Sequence, residues 1–198
     1  GREVVEMLLA LPQLLVSHEL RRDLAAHPAT PQARAIDLVA TLFWRDLVKL
    51  GADARVPPVV RRAADRQVAA RLPGLAVGEK MAIARTAGPG VLAQLRRDPS
   101  PRVTEAMLGN PRLTEGTLLP LAADERAPAP VLETLARDPR WGVRYPVRLA
   151  LAGNPATPPA ASLAILPHLK KHDLKRLARD VRIPGMVKRR ARLLLGEG

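Results

Sequence analysis

Residues 28–64 recur as residues 155–191 without a gap, and 15 of the 37 positions are identical. Pro28-Ala29-Thr30-Pro31 returns as Pro155-Ala156-Thr157-Pro158, and Asp46-Leu47 as Asp173-Leu174. Asp53, Arg55 and Pro57 return as Asp180, Arg182 and Pro184; Val60, Arg62 and Ala64 return as Val187, Arg189 and Ala191. A register held this long means that the chain is built of duplicated units. A shorter period lies inside it. Leu50, Leu95, Leu135 and Leu177 are nearly evenly spaced, and each stands three positions before an aspartate. The long offset is therefore three units of roughly 42 residues each, a length typical of two- or three-helix repeats.

The composition narrows the class of fold. Of the 198 residues 47% are apolar, but aromatics are only 2%: Phe43, Trp44, Trp141 and Tyr145. The core must then be Leu, Ala, Val and Ile, which suits closely packed short helices. Twenty prolines stand at regular boundaries and leave room for helices of roughly 8 to 15 residues, with little space for strands. Asn110-Pro111, Asn154-Pro155 and His27-Pro28 are expected to end helices, because the residue before proline is pushed out of the helical region. Asp98-Pro99, Asp138-Pro139, Thr30-Pro31 and Thr157-Pro158 are expected to start them, with a capping side chain before a proline at the first helical position. By the same reasoning Asp53, Asp98, Asp138 and Asp180 are read as helix N-caps. The expected fold is all-α and a single domain over 1–198, with Leu72 to Gly78 as a bend or irregular joint.

These motifs carry a family resemblance. Asp138-Pro139, Val143-Arg144, Val147, Ala150 and Leu151 resemble the second helix of a HEAT repeat. The alternation of Asp-Pro and Asn-Pro-x-Thr-Pro turns is similar to that of the bacterial leucine-rich-repeat-variant proteins. The resemblance covers 28–64 and 91–191 and implies a right-handed α-solenoid of about four 40–45-residue repeats. Its motifs are structural and carry no chemistry.

Candidate chemistry is sparse. The absence of cysteine excludes disulfides and thiolate sites. His168 and His172, four apart beside Asp173, could hold a metal, but Lys170 and Lys171 lie between them and a helix break would part the rings. No metal or cofactor is expected. The segment from Thr86 to Gly90 lacks the Lys-Ser/Thr of a phosphate-binding loop and reads as a turn. The longest apolar stretch, Met7 to Val16, is too short to span a bilayer, and no signal peptide is visible, so a cytoplasmic protein is expected.

Charge is the remaining signal. The net charge is +13, and residues 167–198 hold ten Lys/Arg against three acids. Arg140, Arg144 and Arg148 fall at i, i+4 and i+8, the spacing of one helix face. Arg21, Arg22, Arg61, Arg62, Lys188, Arg189 and Arg190 stand on corresponding helices of other repeats, and together they could form a ladder of cations. Such a ladder suits carboxylates or phosphates. The competing explanation is a set of ordinary solvated positions whose long stems cover apolar surface. The expectation is a non-catalytic scaffold whose basic face engages a macromolecular partner, first a protein. The alternative is sequence-tolerant binding of a nucleic-acid backbone, since aromatics for base stacking are scarce. A third reading comes from the HEAT-like DNA glycosylases, which use Trp and Asp on a concave face; Asp138 and Trp141 would be the residues concerned.

Overall fold

Five prolines set where helices begin. Pro31, Pro57, Pro128, Pro158 and Pro184 each occupy an N-cap, with φ between −59° and −51° and ψ between 132° and 140°. The ring holds φ in a range that serves both this extended conformation and the helix that follows. Four positions before each proline stands a turn residue whose side chain accepts the backbone N–H two positions on. Asp53 Oδ1 takes it from Arg55 at 2.9 Å, Asp124 Oδ1 from Arg126 at 2.9 Å and Asp180 Oδ1 from Arg182 at 3.0 Å. Asn154 Oδ1 does the same for Ala156 at 2.9 Å, and His27 Nδ1 for Ala29 at 3.1 Å. These are Asx-type turns, which compete with the helix for the same donors and so end it.

The expected N-caps are thereby corrected. Asp53, Asp138 and Asp180 are C-cap residues of the preceding helices, and Asp98 Oδ1 accepts from Ser100, itself the N-cap of the next helix. The expected first-turn prolines Pro31 and Pro158 stand one position earlier, at the cap itself.

The computed structural model describes residues 1–196. Among them are fourteen α-helices and no strand. In order these are α1 (Arg2–Leu9), α2 (His18–Ala26), α3 (Gln32–Ala40), α4 (Trp44–Ala52), α5 (Pro58–Arg71), α6 (Val77–Thr86) and α7 (Pro89–Leu95). There follow α8 (Pro101–Leu108), α9 (Glu115–Ala122), α10 (Ala129–Arg137), α11 (Tyr145–Ala152), α12 (Pro159–Ile165), α13 (Lys171–Arg179) and α14 (Gly185–Leu195). A 3-10 turn at Leu72–Gly74 lies between α5 and α6. None of the helices is long and apolar enough to cross a membrane.

The helices gather into two compact units, Gly1–Leu95 with Asn110–Arg112, and Arg96–Gly109 with Leu113–Gly198. Packing runs mainly between helices close in sequence. In the first unit α2 meets α3, α3 and α4 meet α5, α4 meets α6, and α5 meets α7. In the second α8 meets α10, α9 meets α11, α10 and α11 meet α12, and α14 packs on α12 and α13.

The duplication governs this packing. Helix α4, moved along the chain by the offset of the repeat, is α13 end for end, and the start of α5 becomes the start of α14. Leu47, Leu50, Val60 and Ala64 return unchanged as Leu174, Leu177, Val187 and Ala191, and all eight are buried. The register also extends beyond the segment that sequence identity marks. His18 Nε2 meets Asp46 Oδ2 at 2.8 Å, and at the equivalent positions Tyr145 Oη donates to Asp173 Oδ2. Phe43 packs on His18 with ring centroids 4.4 Å apart; its counterpart Lys170 lies 5.2 Å from the Tyr145 ring centre. Contact partners persist here although the residue types have changed.

Candidate binding surface

The arginine triplet of the sequence does not form a helical ladder. Only Arg148 lies within α11; Arg144 is its N-cap, and Arg140 stands in the preceding turn. Pro146 in the first turn of α11 explains the correction, since a continuous helix from 140 to 148 would need the N–H that proline lacks. The HEAT-like Val143-Arg144 pair falls outside the helix for the same reason.

The three arginines nevertheless converge on one place. Trp141 is 2% exposed and donates its indole N–H to the Leu108 carbonyl at 3.1 Å. The guanidiniums of Arg140 and Arg144 lie 4.6 and 4.7 Å from its ring centre, a cation–π arrangement. Arg148 Nε donates to the Gly142 carbonyl at 3.1 Å, and Arg144 reaches Glu115 at 3.4 Å. Asp138 Oδ1 accepts from the backbone of both Arg140 and Trp141, at 2.9 and 2.7 Å. Trp141 and Asp138, the pair a glycosylase reading would use, are engaged in holding this turn together.

The other candidate cations divide between the units. In the first, Arg22 pairs with its neighbour Asp23 at 2.9 Å, Arg62 is exposed, and the Nε atoms of Arg21 and Arg61 are buried without a hydrogen-bond partner. In the second, Lys188 is half-buried, while Arg189 and Arg190 are exposed on α14. His168 lines a cleft of about 420 Å³ between α10 and α12, whereas His172 pairs with Asp173 at 3.1 Å. Among the described residues no group of three His, Cys, Asp or Glu side chains could hold a metal ion.

A basic stripe that sequence reasoning missed lies on α13. Lys171, Lys175 and Arg179 stand at i, i+4 and i+8 inside one helix, and all three are exposed. Their counterparts on α4 are Trp44, Val48 and Ala52. There the stripe is partly covered: Val48 is 4% exposed, Trp44 and Ala52 are half-buried, α6 packs on α4, and Gly88 at the α6–α7 junction lies against Gly51 and Ala52. On α14 the same exchange places exposed Arg190 where α5 has Ala63, which is 4% exposed. The two signals needed to find this stripe, the helical spacing and the long register, were both present in the sequence.

The acids of this hairpin are already engaged. Asp173 is 3% exposed and bonds Tyr145, His172 and Arg176. Asp180 is held by Arg182, whose side chain and backbone N–H lower its pKa from 3.8 to about 2. Asp53 and Arg55 make the same clip in the first unit, again with a pKa of about 2. Lys171, Lys175, Arg179, Arg189 and Arg190 make no ion pair among the described residues.

Compared with known proteins, the chain matches no family model, no curated protein and no solved structure.

Proposed function

We propose that this chain is a non-catalytic binding module, built of HEAT-like α-solenoid repeats, that engages an acidic macromolecular partner through exposed basic side chains. The observation that carries the reading is the imbalance on the α13–α14 hairpin. Its two described acids, Asp173 and Asp180, are neutralised by neighbours, while at least five exposed cations are left without partners. Like charges gathered on two packed helices repel one another, and an anionic surface relieves the repulsion. The short period of the sequence and the packing of sequence-adjacent helices support the repeat assignment, and repeat arrays bind through extended surfaces. The glycosylase reading loses its support, because Trp141 is buried and Asp138 is bound to backbone.

Retention on an immobilised polyanion tests this reading. The chain should be held at low ionic strength and released as salt screens the attraction. Passage without retention, despite a net charge of +13, would remove it.

A further inference from the structure

Resting on that reading, we infer that the open face of α13 and α14, with Lys171, Lys175, Arg179 and Arg190 at its centre, binds the phosphate backbone of duplex nucleic acid without regard to sequence. The comparison between the two copies carries this step. In the first copy the equivalent positions are apolar: Val48 and Ala63 are buried, Trp44 and Ala52 half-buried, and α6 and the α6–α7 junction pack on α4. In the second the face is open, and four positions that were Trp, Val, Ala and Ala have become Lys, Lys, Arg and Arg. An uncovered repeat face needs polarity to stay in water, but it does not need one sign of charge. Four changes of the same sign, with no acid among them, go beyond what solvation asks.

The chemistry of the face selects the partner. Protein–protein interfaces centre on buried apolar and aromatic side chains, whereas protein–DNA interfaces are more polar and far more positive. The exposed apolar residues of the hairpin, Val181, Met186 and Leu193, have counterparts in Ala54, Val59 and Arg66, positions that are exposed or half-buried in the first copy too. Against these three stand five exposed cations without an ion pair among the described residues. The stripe on α13 spaces its cations about 6 Å apart along the axis, suited to successive contacts along a charged backbone. No aromatic residue follows Tyr145, and its ring is covered by Lys170, so bases of a single strand have nothing to stack on. Contacts to phosphate alone position a protein without reading sequence.

Fluorescence anisotropy with a random labelled duplex, across about 50–200 mM salt, tests the proposal, with the same bases as a single strand alongside. Affinity should fall steeply with salt, and the duplex should bind at least as tightly as the single strand. The triple substitution Lys171→Ala, Lys175→Ala, Arg179→Ala should make the log–log salt slope shallower by about one per cation removed. A control with the same charge change in the first unit, Arg45→Ala, Lys49→Ala, Arg66→Ala, should leave the slope near the parent value. Equal losses in both triples would show that total charge acts and would overturn the face assignment. Binding of polyglutamate but not of duplex would overturn the phosphate partner while leaving the binding-module reading in place. Binding of neither would overturn both.

Discussion

Asp138 and Gly142 act as a pair at either end of one turn. The carboxylate gathers two backbone N–H groups, and the glycine brings the chain against the end of α10. A Cβ added at Gly142 would sit 2.8 Å from the Leu135 and Asp138 carbonyl oxygens and closer still to that of Ala136. Backbone atoms cannot give way as a side-chain tip can. Gly142→Ala is therefore expected to cost about 1–3 kcal/mol, read as a lower denaturant midpoint at unchanged m-value. Asp138→Ala should cost a similar amount, about 1–3 kcal/mol, through its unpaired donors. Asp138→Asn keeps an acceptor oxygen and should recover much of the loss. Asp65 presents the opposite case. Its Oδ1 is buried without a partner, and its carboxylate presses on Gly51 and Gly90, leaving no room for a Cβ at either glycine. Burial raises its pKa, opposed by Arg61. A raised carboxyl pKa means that the folded state holds its proton longer, so stability falls as pH rises through that folded value. Asp65→Asn should raise the melting temperature at neutral pH, with a benefit that disappears on acidification below the ordinary carboxyl range. A benefit independent of pH would count against the burial account. At the duplicate position Arg192 faces Ala178 and donates to its carbonyl at 3.4 Å, so the carboxylate and the glycine it needs have changed together.

At the scale of the element, the helices were legible because proline and Asx turns act locally and recur in register. Their exact caps were not, because the φ that a proline ring enforces satisfies both an N-cap and a first helical residue. Sequence alone therefore could not say whether Pro31 stood before the helix or inside it. The arginine triplet failed for a related reason: spacing by four marks a face only where a helix exists, and Pro146 shows that none runs through Arg144. The stripe on α13 carried both signals in the sequence; what the sequence did not show is that Val48, its counterpart on α4, is buried beneath a further helix. A proline N-cap acts partly through the unfolded chain, which it makes less flexible. Pro184→Ala should thus lower stability by about 0.4–1 kcal/mol while hydrogen exchange shows α14 starting at the same residue. A shifted start would mean that the ring, rather than the Asp180 turn, positions this helix.

For the whole molecule, a charge of +13 on 198 residues makes self-repulsion a standing cost of folding. Raising salt from about 20 to about 200 mM should increase the melting temperature at neutral pH by screening. A short duplex at low salt should raise it further, because a ligand that prefers the folded state stabilises it by mass action. A melting temperature indifferent to both would contradict the electrostatic account at this scale.

The exchange of a partly covered apolar stripe for an open charged one also says how such an array can grow. The α4–α5 hairpin accepts α6 and α7; its duplicate differs at the contact stripe but keeps the buried leucines and valine beneath it. Restoring Trp, Val and Ala at 171, 175 and 179, with Ala at 190, would rebuild a docking face. A chain so altered should self-associate when left bare. Fused to a second copy of 77–95, it should lose that added association and gain two helices. The hairpin is in this sense a connector whose mating surface is set by four side chains.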